Sequence, residues 1–412
     1  MVAFESFVLD NGLKVIVHED PTVQIAVMNV MYDVGSRDED PNRTGFAHLF
    51  EHLMFGGSAN VPSYDEPLQL AGGENNAFTS SDVTNYYLTV PAANLETGFW
   101  LESDRMLGLS FDPNVLEVQR KVVVEEFKQS YLNQPYGDVM LLLSPLSYKV
   151  HPYQWPTIGK KPEHVEGASM EDVRSFFYRH YVPSNAVLVV AGNVQVSAVR
   201  SLAEKWFAPI PSGIKPKRNI AVEPDQHEKR TLKTSASVPA HALYKTFHMG
   251  GRLSSQYHAV DLMSDMLGRG NSSRLHQRLV REKEIFSQVS SWVTGAADPG
   301  LLVFSGRTMN GITPEEAEKH LDEVIADFLN KGPTGQEMEK VRNQAETSHE
   351  FSETEVMNRA LNLAYAATLG NPEMVNQELD LIRKVSVDEI RSTASSVIRE
   401  ENSSVLYYHK KS

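Results

Sequence analysis

Three side chains in one short stretch have the types and the spacing for hydrolytic metal chemistry. In Gly45-Phe46-Ala47-His48-Leu49-Phe50-Glu51-His52-Leu53-Met54-Phe55, the two histidines stand four residues apart. On a helix that spacing puts both imidazoles on one face, one turn apart, where they can close on a single zinc ion. Glu51 lies on the same polar side, badly placed to be a third ligand but well placed as the general base for an activated water. The order H-x-x-E-H is the inverse of the commoner H-E-x-x-H zinc pattern. A catalytic zinc also needs a third protein ligand and an open position. Val122-Val123-Val124-Glu125-Glu126-Phe127 offers two carboxylates, and spacing alone does not choose between Glu125 and Glu126.

The elements that must position these groups can be read from periodicity. Phe46, Leu49, Phe50, Leu53 and Met54 recur at helical spacing and give the 44–55 helix an apolar stripe behind its histidines. Gly56-Gly57 ends that helix. Runs rich in β-branched residues predict strands over 13–17 and 24–32, with a polar loop over 35–42. Alternation predicts one strand over 78–90, and helices follow over 94–107 and 114–132. A buried strand is expected over 187–191. Residues 209–225 hold four prolines and little apolar periodicity, which marks a linker. Beyond it the chain again reads strand, strand, helix, with a strand over 242–249 and a helix over 257–267. The halves thus look like an internal duplication. Val260, Met263 and Ser264 stand where the first half has His48, Glu51 and His52, so only the first half can hold the metal. The expected division is 1–208, a linker over 209–225, and 226–412.

Composition narrows the function classes. The chain has 412 residues, 41% of them hydrophobic, enough for more than one core. It has no cysteine, which removes disulfides, thiolate catalysis and Cys-type zinc sites together. A formal net charge of −14 argues against a phosphate-binding surface, so no nucleic-acid partner is expected. No run of 18 apolar residues suggests a membrane span. The first residues show no basic-then-apolar leader, so a cytoplasmic location is the expectation, or a periplasmic one if a leader was removed.

These motifs, in this order, resemble the pitrilysin or insulinase-like zinc peptidases (inverzincins), and among them the short chains similar to the subunits of mitochondrial processing peptidase. The likeness covers nearly the whole chain. Asn11-Gly12-Leu13 and Val34-Gly35-Ser36-Arg37 look like the family's opening strands, and His48 to His52 its metal helix. Asn76-Ala77-Phe78-Thr79-Ser80 through Thr84-Asn85-Tyr86-Tyr87 is similar to its substrate strand. His151-Pro152-Tyr153, Ile158-Gly159 and Tyr181-Val182-Pro183-Ser184-Asn185 recur in the family's order. Ser273-Arg274-Leu275 with Arg281-Glu282-Lys283 looks like part of its second domain.

The resemblance implies an α+β fold of two homologous domains, each a mostly antiparallel sheet packed with helices. It implies one zinc per chain on His48, His52 and the second glutamate of the pair, Glu126, with Glu125 the other candidate. Glu51 would activate the water. Asn76, Ala77 and Phe78 would hold substrate as an added strand, and Arg281 would meet the substrate carbonyl. The implied activity is that of a zinc endopeptidase on short or unfolded peptides, in a chamber formed by two chains. Two departures stand out. Gln119 occupies a position, seven residues before Glu126, where many relatives carry a glutamate; Gln288 stands seven residues after Arg281, where the family has a tyrosine. A homodimer would therefore lack that tyrosine. The resulting expectation is either a homodimer in which Gln288 serves, or a zinc-bearing subunit paired with a related chain that brings an Arg/Tyr pair. A non-catalytic subunit is the remaining alternative.

Overall fold

The β-branched runs of the first half become the centre of a six-stranded sheet. A computed structural model describes residues 1–411. In it β1 (Glu5–Val8), β2 (Lys14–Glu19), β3 (Ile25–Tyr32), β4 (Glu74–Thr79), β5 (Thr84–Pro91) and β6 (Ala186–Gly192) lie in the order β1-β2-β6-β3-β5-β4. The β2/β6 pair is parallel and the others antiparallel. Every residue of β6 is buried, as a strand covered on both faces must be. On one face, Val27 and Met31 of β3 join Val187, Val189 and Ala191 of β6 in a core closed by Ala360, Leu363, Ala364 and Ala367 of the helix Val356–Thr368. Alternate residues point the other way. There Tyr32 packs on Tyr86 and Tyr181, forming an aromatic layer. The metal-motif helix, α1 (Phe46–Leu53), rests on that layer through Phe50, which stacks on Tyr181 with centroids 5.3 Å apart.

The expected single strand over 78–90 is a hairpin instead. Ser80 breaks it: its Oγ accepts the N–H groups of Asp82 and Val83 and closes a turn between β4 and β5. Buried Arg37 holds that turn through Asp82 at 2.9 Å. The helix expected over 114–132 runs as Pro113–Phe127 and then widens into a π-helical turn, Lys128–Leu132.

The second unit holds β7 (Arg230–Ala236), β8 (Ala242–His248), β9 (Phe286–Val293), β10 (Leu301–Thr308) and β11 (Ser403–Lys410), in the order β7-β11-β8-β10-β9. Only β7 and β11 run parallel. This is the order of β2-β6-β3-β5-β4, with the parallel pair in the same place, so the duplication is visible in topology. Each sheet also sends its third strand in that order, β3 in one and β8 in the other, on to a helix, α1 and Tyr257–Gly268 respectively.

The units are not divided by one linker. The first comprises Met1–Lys128, Trp155–Ile220 and Glu350–Gln377; the second comprises Gln129–Gln154, Ala221–His349 and the residues from Glu378 on. The exchange has a packing reason, because each sheet recruits an apolar helix from the other half of the sequence. Val356–Thr368 covers the first sheet, and Val139–Ser147 covers the second beside Ala242, Leu406 and Tyr408. The proline-rich segment is itself docked up to Ile220. Arg218 pairs with Asp33 at 2.6 Å and Asp38 at 2.7 Å. Asn11 Nδ2 donates to the carbonyls of Phe207 and Ile210.

Candidate metal centre

The apolar stripe of α1 is buried as its spacing requires: Phe46, Leu49, Phe50, Leu53 and Met54 all lie in the core. That leaves the opposite face, with His48, Glu51 and His52, half-buried and facing the helix Pro113–Phe127. Behind α1, Arg105 forms a buried bidentate pair with Glu102 and lies among the rings of Phe55, Tyr64 and Tyr86.

His48 Nε2, His52 Nε2 and Glu126 Oε2 converge. Glu126 Oε2 lies 3.7 Å from the first nitrogen and 3.6 Å from the second, and the three ligand atoms lie within 4.8 Å of one another. These separations are too long for hydrogen bonds and fit a shared ion: ligand atoms about 2.0–2.2 Å from a tetrahedral zinc stand roughly 3.3–3.6 Å apart. Their side chains are 14%, 24% and 42% exposed, so one side of the group stays open. Burial holds His48 below the ordinary imidazole value, against the pull of Glu126. Contact with His52 holds the Glu126 carboxyl below the ordinary carboxylate range. A neutral imidazole and an ionised carboxylate are the forms that metal binding needs. Glu125 is turned aside, 4.0 Å from Lys128, and is not part of the group.

Glu51 sits beside this group and is held there. Thr79 Oγ1 donates to Glu51 Oε2 at 2.7 Å. Thr79 was legible only as part of a motif; its role depends on the hairpin that brings the end of β4 over α1. Asn76, Ala77 and Phe78 lie on the same strand, at the edge of the first sheet. Ala77 N–H donates to Asn76 Oδ1 at 2.8 Å, and Phe78 is 40% exposed. Gln119 is half-buried on the helix that carries Glu126. Arg281 and Gln288 belong to the second unit, Arg281 at the end of the π-helical turn His276–Glu282 and Gln288 on β9, both exposed. Among the described residues Arg281 makes no ion pair.

Glu39 is a second residue that motif reading passed over. It is buried, and its carboxylate accepts the N–H groups of Gly45, Ala47 and Trp155 at the start of α1. Burial pushes its carboxyl up to about 8 even though those donors pull the other way.

Residues 14–157 match the family model described as Insulinase (Peptidase family M16), and residues 167–345 match the one described as Peptidase M16 inactive domain. The chain belongs to peptidase family M16, the insulinase family. M16 relatives named as zinc proteases align along most of its length. One is YmxG of Bacillus subtilis, 25% identical with 96% of each chain covered. Another is PqqE of Helicobacter pylori, 29% identical over 82% of this chain and 77% of the relative. The solved structure of a protease from Helicobacter pylori has the same fold, with a TM-score of 0.93 at 24% identity over 99% of this chain and 100% of that one. Pitrilysin shares the fold too, with a TM-score of 0.79 at 17% identity over 99% of this chain and 45% of that one. As a member of M16 the chain is a peptidase, and the model matched by its second half is the one described as inactive, in keeping with Val260, Met263 and Ser264 there.

Proposed function

We propose that this M16 chain is a zinc-dependent endopeptidase that holds short or unfolded peptides as an added strand, in a chamber completed by a second chain. The observation that carries this reading is the convergence of His48, His52 and Glu126 with Glu51 alongside. Zinc held by those three ligands would supply a Lewis acid for the scissile carbonyl and bring the pKa of a water toward neutrality. Glu51 takes the proton of the attacking water and passes it to the leaving amine. Thr79 occupies one Glu51 oxygen and so fixes the other for that transfer. The edge of β4 aligns the peptide by backbone pairing, which selects extended chains with little regard to sequence. An incoming carbonyl would take the Ala77 N–H from Asn76 Oδ1 and free the Asn76 amide for the substrate. Phe78 offers an apolar contact beside it. Arg281 of a second chain would steady the developing oxyanion.

Gln288 favours a second reading, in which the chain is the zinc-bearing subunit of a heterodimer and its partner brings an Arg/Tyr pair. One experiment separates the two: hydrolysis of an internally quenched, unstructured peptide by the zinc-loaded chain alone, with Glu51→Gln as control. Cleavage that disappears in the control supports a complete peptidase. One zinc per chain without cleavage supports the subunit that needs a partner. Neither zinc nor cleavage would sink both.

A further inference from the structure

We infer that Glu39 is a positioning residue for the metal helix: its carboxylate replaces the capping side chain that Gly45 cannot carry, and so sets the register of His48, Glu51 and His52 against Glu126. The inference rests on the zinc reading above for its consequence, but its argument is local. A helix leaves its first N–H groups without intrahelical partners, and a Ser, Thr, Asp or Asn at the N-cap normally satisfies one of them. The N-cap of α1 is Gly45, in the left-handed region at φ 88°. A Cβ there would stand 2.7 Å from the Ile158 carbonyl oxygen and 2.9 Å from Val165 Cγ2. Backbone conformation and the passing chain together forbid a side chain, so the cap must come from elsewhere.

It comes from six residues upstream. Glu39 Oε2 accepts the Gly45 N–H at 3.0 Å and Oε1 accepts the Ala47 N–H at 2.8 Å. One carboxylate thereby satisfies the N-cap N–H and a first-turn N–H, the two tasks that a capping box divides between two residues. Trp155 Nε1–H donates to both Glu39 Oε2, at 3.1 Å, and the Ser36 carbonyl, at 3.0 Å, which ties the carboxylate to the preceding loop. Glu39 is 6% and Trp155 2% exposed, so water does not substitute readily for either. α1 has only 8 residues, too few to hold its own position without such anchors. His48 follows Ala47 directly, so play at this end of the helix becomes play in the ligand set.

The test compares wild type, Glu39→Ala and Glu39→Gln in three measurements: zinc affinity by chelator competition, hydrogen exchange of the 46–53 amides in the zinc-free chain, and kcat and KM on a quenched peptide. All are made well below the melting temperature of each variant. Expected for Glu39→Ala is zinc binding roughly 10- to 100-fold weaker, as for groups that orient metal ligands from behind. Exchange of 46–53 should be faster, and kcat lower with KM unchanged. Glu39→Gln, which keeps one acceptor, should fall between. A lower melting temperature with zinc affinity and exchange unchanged would overturn the inference, because Glu39 would then only support the fold. Should Glu39→Ala fail to fold, Glu39→Gln and Trp155→Phe decide by the same readouts: smaller losses in the same direction support it, and none overturns it. If wild type binds no zinc, the zinc reading fails, while exchange in the zinc-free chain still decides whether Glu39 anchors α1.

Discussion

After the third strand of the order they share, β3 in one and β8 in the other, both sheets send the chain on to a helix, α1 in the first unit and Tyr257–Gly268 in the second. The two are built for different ends. α1 buries one apolar stripe and leaves its histidine face partly open. On Tyr257–Gly268 the matching residues Val260, Met263 and Ser264 are buried and the helix is covered nearly all round. An ionised carboxylate is poorly tolerated in such surroundings, and burial, with help from Asp265, pushes the Asp261 carboxyl up to about 6. The shared framework therefore supplies a place for a helix and not a site. A site requires one face left uncovered, ligands on it, and a carboxylate delivered from a second helix.

Several substitutions would break or sharpen this contrast. The largest effect belongs to His48→Ala, which should abolish both stoichiometric zinc and hydrolysis, read by metal analysis and peptide cleavage. Glu51→Gln should retain zinc and slow cleavage by about 10²–10⁴-fold, the usual share of a positioned general base; equal loss of zinc would mean that Glu51 is a ligand. On the other helix, Met263→Ala should leave zinc affinity unchanged and cost about 2–5 kcal/mol of stability, as a cavity in a packed core does. Asp261→Asn should stabilise the chain at pH 7 by about 3 kcal/mol. The sign follows from a folded-state pKa raised from 3.8 to about 6. Folding retains a proton that the unfolded chain releases between those values, so this group's contribution to stability falls as pH rises from about 4 to 6 and then levels off. Melting curves at pH 4 and pH 7 for both chains read that difference, and equal shifts at the two pH values would remove the argument. The smallest effect is expected of Thr79→Val. It removes one hydrogen bond to Glu51, worth about 1 kcal/mol, and should lower kcat about five-fold with zinc affinity unchanged.

Local periodicity was enough for much of the framework. The β3 run, the Glu-bearing helix, the buried β6 and the repeat of strand, strand, helix were all legible, because a side chain's face is set by residues a turn or a pleat away. It failed where polar detail interrupts a pattern. The alternation over 78–90 continues through Ser80, yet that side chain closes a turn and makes two strands of one. It failed again for the boundary between units, since apolar faces are satisfied by whichever helix reaches them, and Val356–Thr368 reaches the first sheet from far along the chain.

The candidate site divides in the same way. The sequence by itself determined that His48 and His52 share a helix face with Glu51 beside them, because that relation is fixed within a single turn of helix. It also determined that the second half has no such set. Only tertiary structure decided that Glu126 and not its neighbour Glu125 meets the histidines, since adjacent residues on a helix point about 100° apart and the packing of one helix on another selects between them. It likewise decided that Thr79 reaches Glu51 and that Glu39 caps α1. Those contacts join residues from separate segments of the chain, and no spacing within one element records them.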